Sequence, residues 1–183
     1  MGRIRIVAGS LKGRRLPVPE VPGLRPTPER VREALFSRLG DRLHGGRVVD
    51  AFAGTGSLGL EALSRGADRA IFLERHPAAL EALHGIVDAW GLAARATIVP
   101  GDAVLWPRRT TEVVDAILAD PPYEGPEGTR FLEALGGSPC LRIGGILGCE
   151  RAAKAEIGAL QGFRLEKSSR YGDSALDLWI RET

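Results

Sequence analysis

Apolar and polar residues alternate at the start of the chain. Residues 3–8 place arginine and isoleucine at alternate positions, a pattern typical of a half-buried strand with one basic face. The glycine-bounded segment 9–13 predicts a turn, and residues 14–18 predict the returning strand. The chain is therefore predicted to begin with a β-hairpin whose outward face is basic.

A connector rich in proline and glycine follows, and the apolar spacing then changes to that of a helix. Thr27 is predicted as the N-cap and Pro28 as the first helical residue. The apolar residues after them share one helical face: Val31, Ala34, Leu35, Phe36 and Leu39. We divide the chain into a hairpin extension with its connector, residues 1–24, and a main domain, residues 25–183.

From residue 47 onward, short apolar runs alternate with amphipathic stretches. The predicted strands are residues 47–52, 70–73, 97–99, 113–119, 145–149, 163–170 and 176–180. The predicted helices are residues 57–65, 77–90, 129–135 and 154–160. This alternation predicts an α/β fold with a mostly parallel sheet and helices on both faces. Ligands of such sheets bind beyond the carboxyl ends of the strands, so we expect the chemistry there.

A glycine-rich loop follows the first strand of the predicted main domain. Gly54, Gly56 and Gly59 form a G-x-G-x-x-G pattern, which lets a nucleotide approach the backbone and suits NAD as well as S-adenosylmethionine. Asp50 at the strand end favours S-adenosylmethionine, because a carboxylate repels a pyrophosphate but attracts an ammonium group. Phe52 completes a D-x-F-x-G-x-G pattern, which resembles the first motif of methyltransferases.

Two more strand ends carry acidic residues. Glu74 lies 20 residues after Gly54, where the ribose hydroxyls of either nucleotide are expected. Asp102 follows the next strand, at the place where Rossmann-like methyltransferases typically carry a carboxylate for the adenine amino group. We include the neighbours Arg75 and Ala103 among the predicted cofactor contacts.

The sequence Asp120-Pro121-Pro122-Tyr123 follows the most apolar predicted strand and resembles the D/N-P-P-Y/F motif of amino-methyltransferases. An exocyclic amino group of a base is a poor nucleophile, because its lone pair is conjugated with the ring. Asp120 and the Pro121 carbonyl can each accept one of its N–H bonds, and the carboxylate stabilises the positive charge that develops on nitrogen. Pro122 stiffens the turn, and Tyr123 offers a ring for stacking. All four residues are predicted to be catalytic.

With these motifs and several others, the chain resembles the bacterial 16S ribosomal RNA guanine-N2 methyltransferases, which modify a single guanine of the small subunit. The other stretches that carry the resemblance are residues 5–9, 12–14, 16–19, 23–27, 30–36, 63–67 and 171–172. The resemblance implies a seven-stranded Rossmann-like sheet with an N-terminal hairpin, S-adenosylmethionine as cofactor, and the small ribosomal subunit or its assembly intermediate as substrate. The choice of guanine rests on the resemblance alone. Phe is common in this family where the chain has Tyr123, and both rings can stack.

The charge of the chain is distributed unevenly. Residues 1–47 carry eleven Lys and Arg against four acidic residues, while the remainder carries fourteen against nineteen. A basic segment on an acidic body suggests contact with a polyanion. The residues predicted to bind RNA are Arg3, Arg5, Lys12, Arg14, Arg15 and Arg30. The alternative interpretation is that this segment only covers the cofactor or the sheet edge.

Three other classes of function share parts of this pattern. DNA adenine-N6 or cytosine-N4 methyltransferases usually add a target-recognition domain, for which this chain has no room. Peptide-glutamine methyltransferases favour Asn at the position of Asp120. A nicotinamide-dependent oxidoreductase or a non-catalytic nucleotide-binding module would share only the glycine loop.

No apolar run reaches the roughly 18 residues of a membrane span. Cys140 and Cys149 fit no metal-ligand spacing, so we expect buried free thiols and no metal site. Together these features favour the cytoplasm, and we expect a monomer.

Overall fold

A sheet of seven strands forms the centre of the protein, and a two-stranded hairpin lies at its N-terminus. This computed structural model describes residues 3–18, 27–123, 125–155 and 158–183. The strands are β1 (Arg3–Arg5), β2 (Arg15–Pro17), β3 (Arg47–Ala51), β4 (Arg69–Glu74), β5 (Ala96–Pro100), β6 (Val114–Ala119), β7 (Leu141–Ala152), β8 (Phe163–Tyr171) and β9 (Ser174–Arg181). The α-helices are α1 (Glu29–Leu39), α2 (Ser57–Ser64), α3 (Pro77–Ala89), α4 (Trp106–Arg109) and α5 (Glu127–Gly136), and 3-10 turns lie at Gly40–Leu43 and Ala103–Leu105.

The strand order of the large sheet is β5-β4-β3-β6-β7-β9-β8. Strands β3 to β7 pair in parallel, while β9 runs antiparallel to both β7 and β8. The predicted fold class, an α/β fold with a mostly parallel sheet of seven strands, is therefore confirmed. This order places the carboxyl ends of β3, β4, β5, β6 and β7 along one edge of the sheet.

Helices cover both faces of the sheet, as predicted. Alternate residues of β3 point to opposite faces, so Val49 packs in the same core cluster as Phe131 of α5, and Val48 packs with Leu35 of α1 and Leu58 of α2. Strand β6 is buried along almost its whole length because both of its faces are covered, which explains its apolar composition.

The N-terminal hairpin is docked on the main domain. Its apolar residues Ile4, Ile6 and Leu16 are buried in one cluster with residues of α2 and α3. The carboxylate of Glu61 on α2 accepts the backbone N–H groups of Val7 at 2.8 Å and Ala8 at 3.1 Å. The predicted alternation of inward isoleucines with an outward arginine is confirmed for the side chains of residues 4–6. The boundary near residue 24 lies outside the described residues and stays a prediction.

Two local predictions were wrong. Residues 154–160 were predicted as a helix, but 154, 155 and 158–160 form a turn and irregular chain, and 156–157 lie outside the described residues. The described side chains of this segment are largely exposed, so no apolar face stabilises a helix there. Thr27 was predicted as the N-cap of helix α1, but Pro28 is the N-cap and the hydroxyl of Thr27 donates to Asp120 instead.

In the part of the chain that the structure describes, no helix is long and apolar enough to cross a membrane.

Candidate active site

Three of the predicted acidic residues meet at the carboxyl edge of the sheet. Asp50 lies on β3, Glu74 ends β4, and Asp120 directly follows β6. Because β3 pairs with both β4 and β6, the three carboxyl groups lie around one point of this edge. Burial, together with the negative charges of Asp120 and Glu74, raises the pKa of Asp50. The sequence predicted that each residue lies at the carboxyl end of a strand, and the order of the strands brings the three together.

Glu74 fixes the backbone of the glycine loop. Its side chain is buried, and Oε2 accepts the backbone N–H of Gly54 at 2.7 Å. Its Oε1 accepts the N–H groups of Arg75 at 2.8 Å and His76 at 2.7 Å. The structure thus gives Glu74 a role in shaping the loop, and its contact with ribose hydroxyls stays a prediction. The side chain of Arg75 is exposed and lies 3.6 Å from the carboxylate of Glu127.

The side chain of Asp50, on β3, is buried against the first turn of helix α2. Its Oδ2 accepts the N–H of Gly59 at 2.7 Å, where the helix dipole favours negative charge. Burial nevertheless raises the pKa of Asp50 well above its ordinary value. Asp50 therefore ties the glycine loop to α2, and the predicted contact with an ammonium group stays a prediction.

The loop between β3 and α2 has an unusual backbone. Phe52 has a φ of 61°, which is rare for a bulky residue, and its ring packs edge-to-face on Phe131 with centroids 5.3 Å apart. Gly54 and Gly56 also have positive φ values, 53° and 74°. Such conformations concentrate at ligand-binding loops, and here they turn backbone groups toward the edge of the sheet.

A cavity of roughly 150 Å³ opens at the end of β5. Its walls are mostly apolar, and Asp102 contributes a carboxylate. The lining residues are Leu73, Val99, Pro100, Gly101, Asp102, Leu105, Trp106 and Arg109. The Oδ1 atom of Asp102 accepts the N–H of Val104 at 2.9 Å and caps the turn that begins with the buried Ala103. The predicted contact of Asp102 with the adenine amino group stays a prediction.

The Asp120–Tyr123 turn lies directly against the glycine loop. The backbone N–H of Asp120 donates to the carbonyl oxygen of Ala51 at 3.4 Å, and its carboxylate accepts the hydroxyl of Thr27. Burial and the negative charge of Glu150 raise the pKa of Asp120 to about 7, although the bond from Thr27 opposes the shift. Pro121 is buried, while Pro122 is exposed. The turn therefore presents a carboxyl group that ionises near neutral pH.

The side chain of Tyr123 is open on its ring and anchored at its tip. The residue is 44% exposed, yet its hydroxyl contacts the carboxylate of Glu150 and lies 2.5 Å from Oγ of Ser174. Burial of the hydroxyl and its bond to Glu150 raise the pKa of Tyr123. The exposed ring suits a stacking role.

Sequence reasoning missed three residues of this site, namely Thr27, Glu150 and Ser174. A signal existed for Glu150, because it ends the apolar run 145–149 just as Asp120 ends the apolar run before it. In the register of β6 and β7, Ala119 pairs with Cys149, so Asp120, just after β6, lies beside Glu150, which is within β7. Thr27 and Ser174 gave no such signal.

The residues predicted to bind RNA are spread over the hairpin and α1. Lys12 and Arg15 are exposed. Arg5 is exposed and forms an ion pair with Glu29 at 2.7 Å. Arg14 stacks over Trp90 at 5.2 Å, and Arg30 lies over the ring of Tyr171 at 5.9 Å. The side chain of Arg3 lies outside the described part of the chain.

Comparisons with known proteins identify the family of the chain. A family model described as conserved hypothetical protein 95 matches residues 4–180. The ribosomal RNA small subunit methyltransferase D of Escherichia coli (strain K12) is 41% identical over 122 residues, which cover 67% of this chain and 61% of that protein. The putative rRNA methyltransferase YlbH of Bacillus subtilis (strain 168) is 32% identical over 157 residues, covering 84% of this chain and 85% of that protein. A solved structure titled as the putative methyltransferase yhhF from Escherichia coli superposes with a TM-score of 0.89 at 31% identity and covers 99% of both chains.

The alignment with the Escherichia coli methyltransferase D therefore spans less than two thirds of that protein's length. The family model, in contrast, covers nearly the whole chain, and the solved structure shares its complete fold. The resemblance found in the sequence is thus confirmed at the level of the family. The protein belongs to the family described as conserved hypothetical protein 95.

Proposed function

We propose that the protein transfers the methyl group of S-adenosylmethionine to the exocyclic N2 nitrogen of a guanine in 16S ribosomal RNA. Family membership and relatives named as ribosomal RNA methyltransferases support the coarser part, methylation of ribosomal RNA. The observation that carries the proposal is the proximity of the two motifs: the backbone N–H of Asp120 donates to the carbonyl oxygen of Ala51, the last residue of β3 before the glycine loop. A cofactor held by the loop would therefore lie next to the group that receives the base.

The residues present fit S-adenosylmethionine. The loop from Phe52 to Gly56 is bent by positive φ values, and the mostly apolar cavity beside Asp102 supports a site for the adenine ring. When bound, the cofactor supplies an electrophilic methyl group on sulfur. Asp50 and Glu74 hold the loop in shape through backbone N–H groups. This preorganisation removes the cost of ordering the loop when the cofactor binds.

Asp120 has the central role in the proposed transfer. Its carboxylate and the Pro121 carbonyl accept the two N–H bonds of the target amino group, and the lone pair of that nitrogen then points at the methyl donor. The carboxylate stabilises the positive charge that builds up on nitrogen and takes the proton that leaves. The exposed ring of Tyr123 supports the flipped base by stacking. The substrate would be the small ribosomal subunit or its assembly intermediate. The enzyme would act as a monomer in the cytoplasm.

Labelled methyl transfer tests this proposal. We expect tritium from labelled S-adenosylmethionine to appear in 16S ribosomal RNA of unmodified small subunits, and nucleoside analysis to give N2-methylguanosine. Asp120→Asn should lower the rate by about 10²-fold or more, because a charge-stabilising group is removed. Binding of S-adenosylhomocysteine, measured by calorimetry, should stay nearly constant.

Asp115→Asn is the matched control for this experiment. Asp115 lies on the same strand β6 but at the opposite end, where it pairs with Arg142 at 2.7 Å. We expect this variant to transfer methyl groups at nearly the parental rate. Methylated adenine or cytosine as the product, or binding of NADH in place of S-adenosylhomocysteine, would contradict the proposal.

A further inference from the structure

A second carboxylate lies beside Asp120. Glu150 is the residue of β7 that follows Cys149, and Asp120 follows Ala119, the register partner of Cys149 on β6. Neighbouring strands are about 4.8 Å apart, so Asp120, which follows the end of β6, lies next to Glu150, which is still within β7. The influence of the Glu150 charge on the pKa of Asp120 agrees with this proximity. Two acidic side chains, Asp120 in the turn and Glu150 on β7, therefore lie together where the base is proposed to bind.

One oxygen of Glu150 lacks a partner. The residue is 4% exposed, and its Oε1 receives the hydroxyl of Tyr123. Its Oε2 is buried and has no hydrogen-bond partner among the described residues. A buried acceptor without a donor is unfavourable, so such an atom beside a candidate binding surface points to a donor that comes with the ligand.

Two adjacent acceptors match one kind of base edge. Guanine carries the ring N1–H directly beside its amino group, so its edge presents two neighbouring donors. Adenine and cytosine carry an unprotonated ring nitrogen beside the amino group, and a second carboxylate would meet its lone pair. Enzymes that take a base out of the stack read it through hydrogen bonds to this edge. The pair Asp120 and Glu150 is therefore complementary to guanine.

We infer that Glu150 is a specificity-determining residue, whose carboxylate accepts N1–H of the target guanine while Asp120 accepts the amino group beside it. The inference rests on the proposed function and adds the physical reason for the choice of base. It also separates two roles around Tyr123: the ring supports the base by stacking, and the carboxylate behind its hydroxyl selects the base. Discrimination of this kind combines attraction for one base with repulsion of the others.

The test measures base preference. Small subunits are prepared with guanine, or with adenine, at the nucleotide that the parental chain methylates. Glu150→Gln keeps the shape of the side chain, but its amide N–H can donate to the unprotonated N1 of adenine. We expect this variant to lose at least about tenfold in transfer to guanine and to raise the adenine-to-guanine ratio by at least about tenfold.

Tyr123→Phe is the matched control, because it removes the hydroxyl that contacts Glu150 and keeps the carboxylate. It should leave the base ratio unchanged. A parental ratio in Glu150→Gln overturns the inference, and so does an equal change of ratio in Tyr123→Phe, because Glu150 would then act only by holding the tyrosine. Melting temperature and binding of S-adenosylhomocysteine report on folding of each variant.

A second variant keeps the test decisive if Glu150→Gln does not fold. Glu150→Asp retains the charge but withdraws the carboxylate by one methylene, and it should lower transfer to guanine; a parental rate overturns the inference. Failure of the proposed function gives a different result, because the parental chain itself then leaves no methyl group on guanine. If the parental chain produces N2-methylguanosine and the variants keep its preference, only the role of Glu150 fails.

Discussion

Several acidic side chains next to the candidate site are buried, and burial of a charged carboxylate lowers the stability of the folded protein. Asp120 shows this most clearly, because burial and the charge of Glu150 raise its pKa to about 7. Active sites commonly contain ionisable groups with shifted pKa values, because the environment that suits catalysis often lowers stability. We therefore expect Asp120 to favour activity and to lower stability.

The pH dependence of methyl transfer should report Asp120. The carboxyl group must be ionised to accept N–H bonds and a proton, so we expect kcat/KM to fall as the pH drops through about 7. The measurement is the initial rate of tritium transfer at subsaturating ribosomal subunits across the pH range. A flat profile between about pH 5 and 8 would contradict this assignment.

Stability should show the opposite preference. The pKa of Asp120 in the folded protein is raised to about 7, so its burial favours the folded state only while the group is protonated, and that contribution disappears as the pH rises. Asp120→Asn should therefore raise the melting temperature at about pH 8, and the increase should vanish below about pH 4, where the carboxyl is protonated in both states. Thermal unfolding at the two pH values checks this, and a destabilised variant at high pH would speak against a buried charge.

At the scale of elements, the contact between helix α2 and strand β4 sets the position of the glycine loop. Gly59 lies in the first turn of α2, and a Cβ there would come within 2.3 Å of the ring of Phe72. A Cβ at Gly56 would come within 2.6 Å of Leu83. Both glycines are thus required by core packing, so a larger side chain at Gly56 would disturb the fold as well as any contact with a cofactor.

Two glycine-to-alanine variants test this packing. Gly59→Ala should lower the free energy of unfolding by about 1–3 kcal/mol, because the added methyl group overfills a closed contact. Gly85→Ala is the matched control: Gly85 is an exposed residue of α3 with no atom within 4 Å of the added Cβ. It should stabilise the protein by about 0.5–1 kcal/mol, because alanine favours the helix. Urea unfolding measures both, and equal effects would show that α2 and β4 are not closely packed.

At the scale of the whole molecule, the hairpin adds a basic surface to a Rossmann-like domain. Arg5 and Arg14 already have partners within the protein, Glu29 and Trp90, while Lys12 and Arg15 are exposed. The hairpin is held to α2 through Glu61, so its cations have a fixed position relative to the candidate site. Such a surface is expected to read phosphates and shape rather than sequence.

Charge reversal on the hairpin tests RNA binding by this surface. Lys12→Glu with Arg15→Glu should weaken binding to small subunits several-fold and reduce the salt slope by about 0.7–0.9 for each phosphate that the hairpin no longer neutralises. Lys167→Glu serves as the control, because Lys167 is exposed on β8 at the opposite edge of the sheet. Affinity for S-adenosylhomocysteine should stay constant in all variants. Weaker cofactor binding with unchanged subunit binding would instead assign the hairpin a covering role.

The sequence by itself determined the fold class and the edge of the sheet at which the candidate site lies. Strand periodicity and glycine spacing are local properties, and parallel strands share one carboxyl edge, so Asp50, Glu74 and Asp120 could be placed along that edge without coordinates. Their proximity to one another depends on the position of β3 between β4 and β6, which the tertiary structure decided. The prediction of a helix over residues 154–160 was wrong, because apolar periodicity does not show whether the apolar face of a segment packs against the core.

Tertiary structure alone decided which side chains complete that site. Thr27 donates to Asp120 across 93 positions of the chain, and Tyr123 contacts Glu150 and Ser174 across 27 and 51. These contacts depend on the order of β6, β7 and β9 in the sheet, which no local pattern encodes. The same holds for the pKa of Asp120, because burial and a neighbouring charge exist only after the strands have paired.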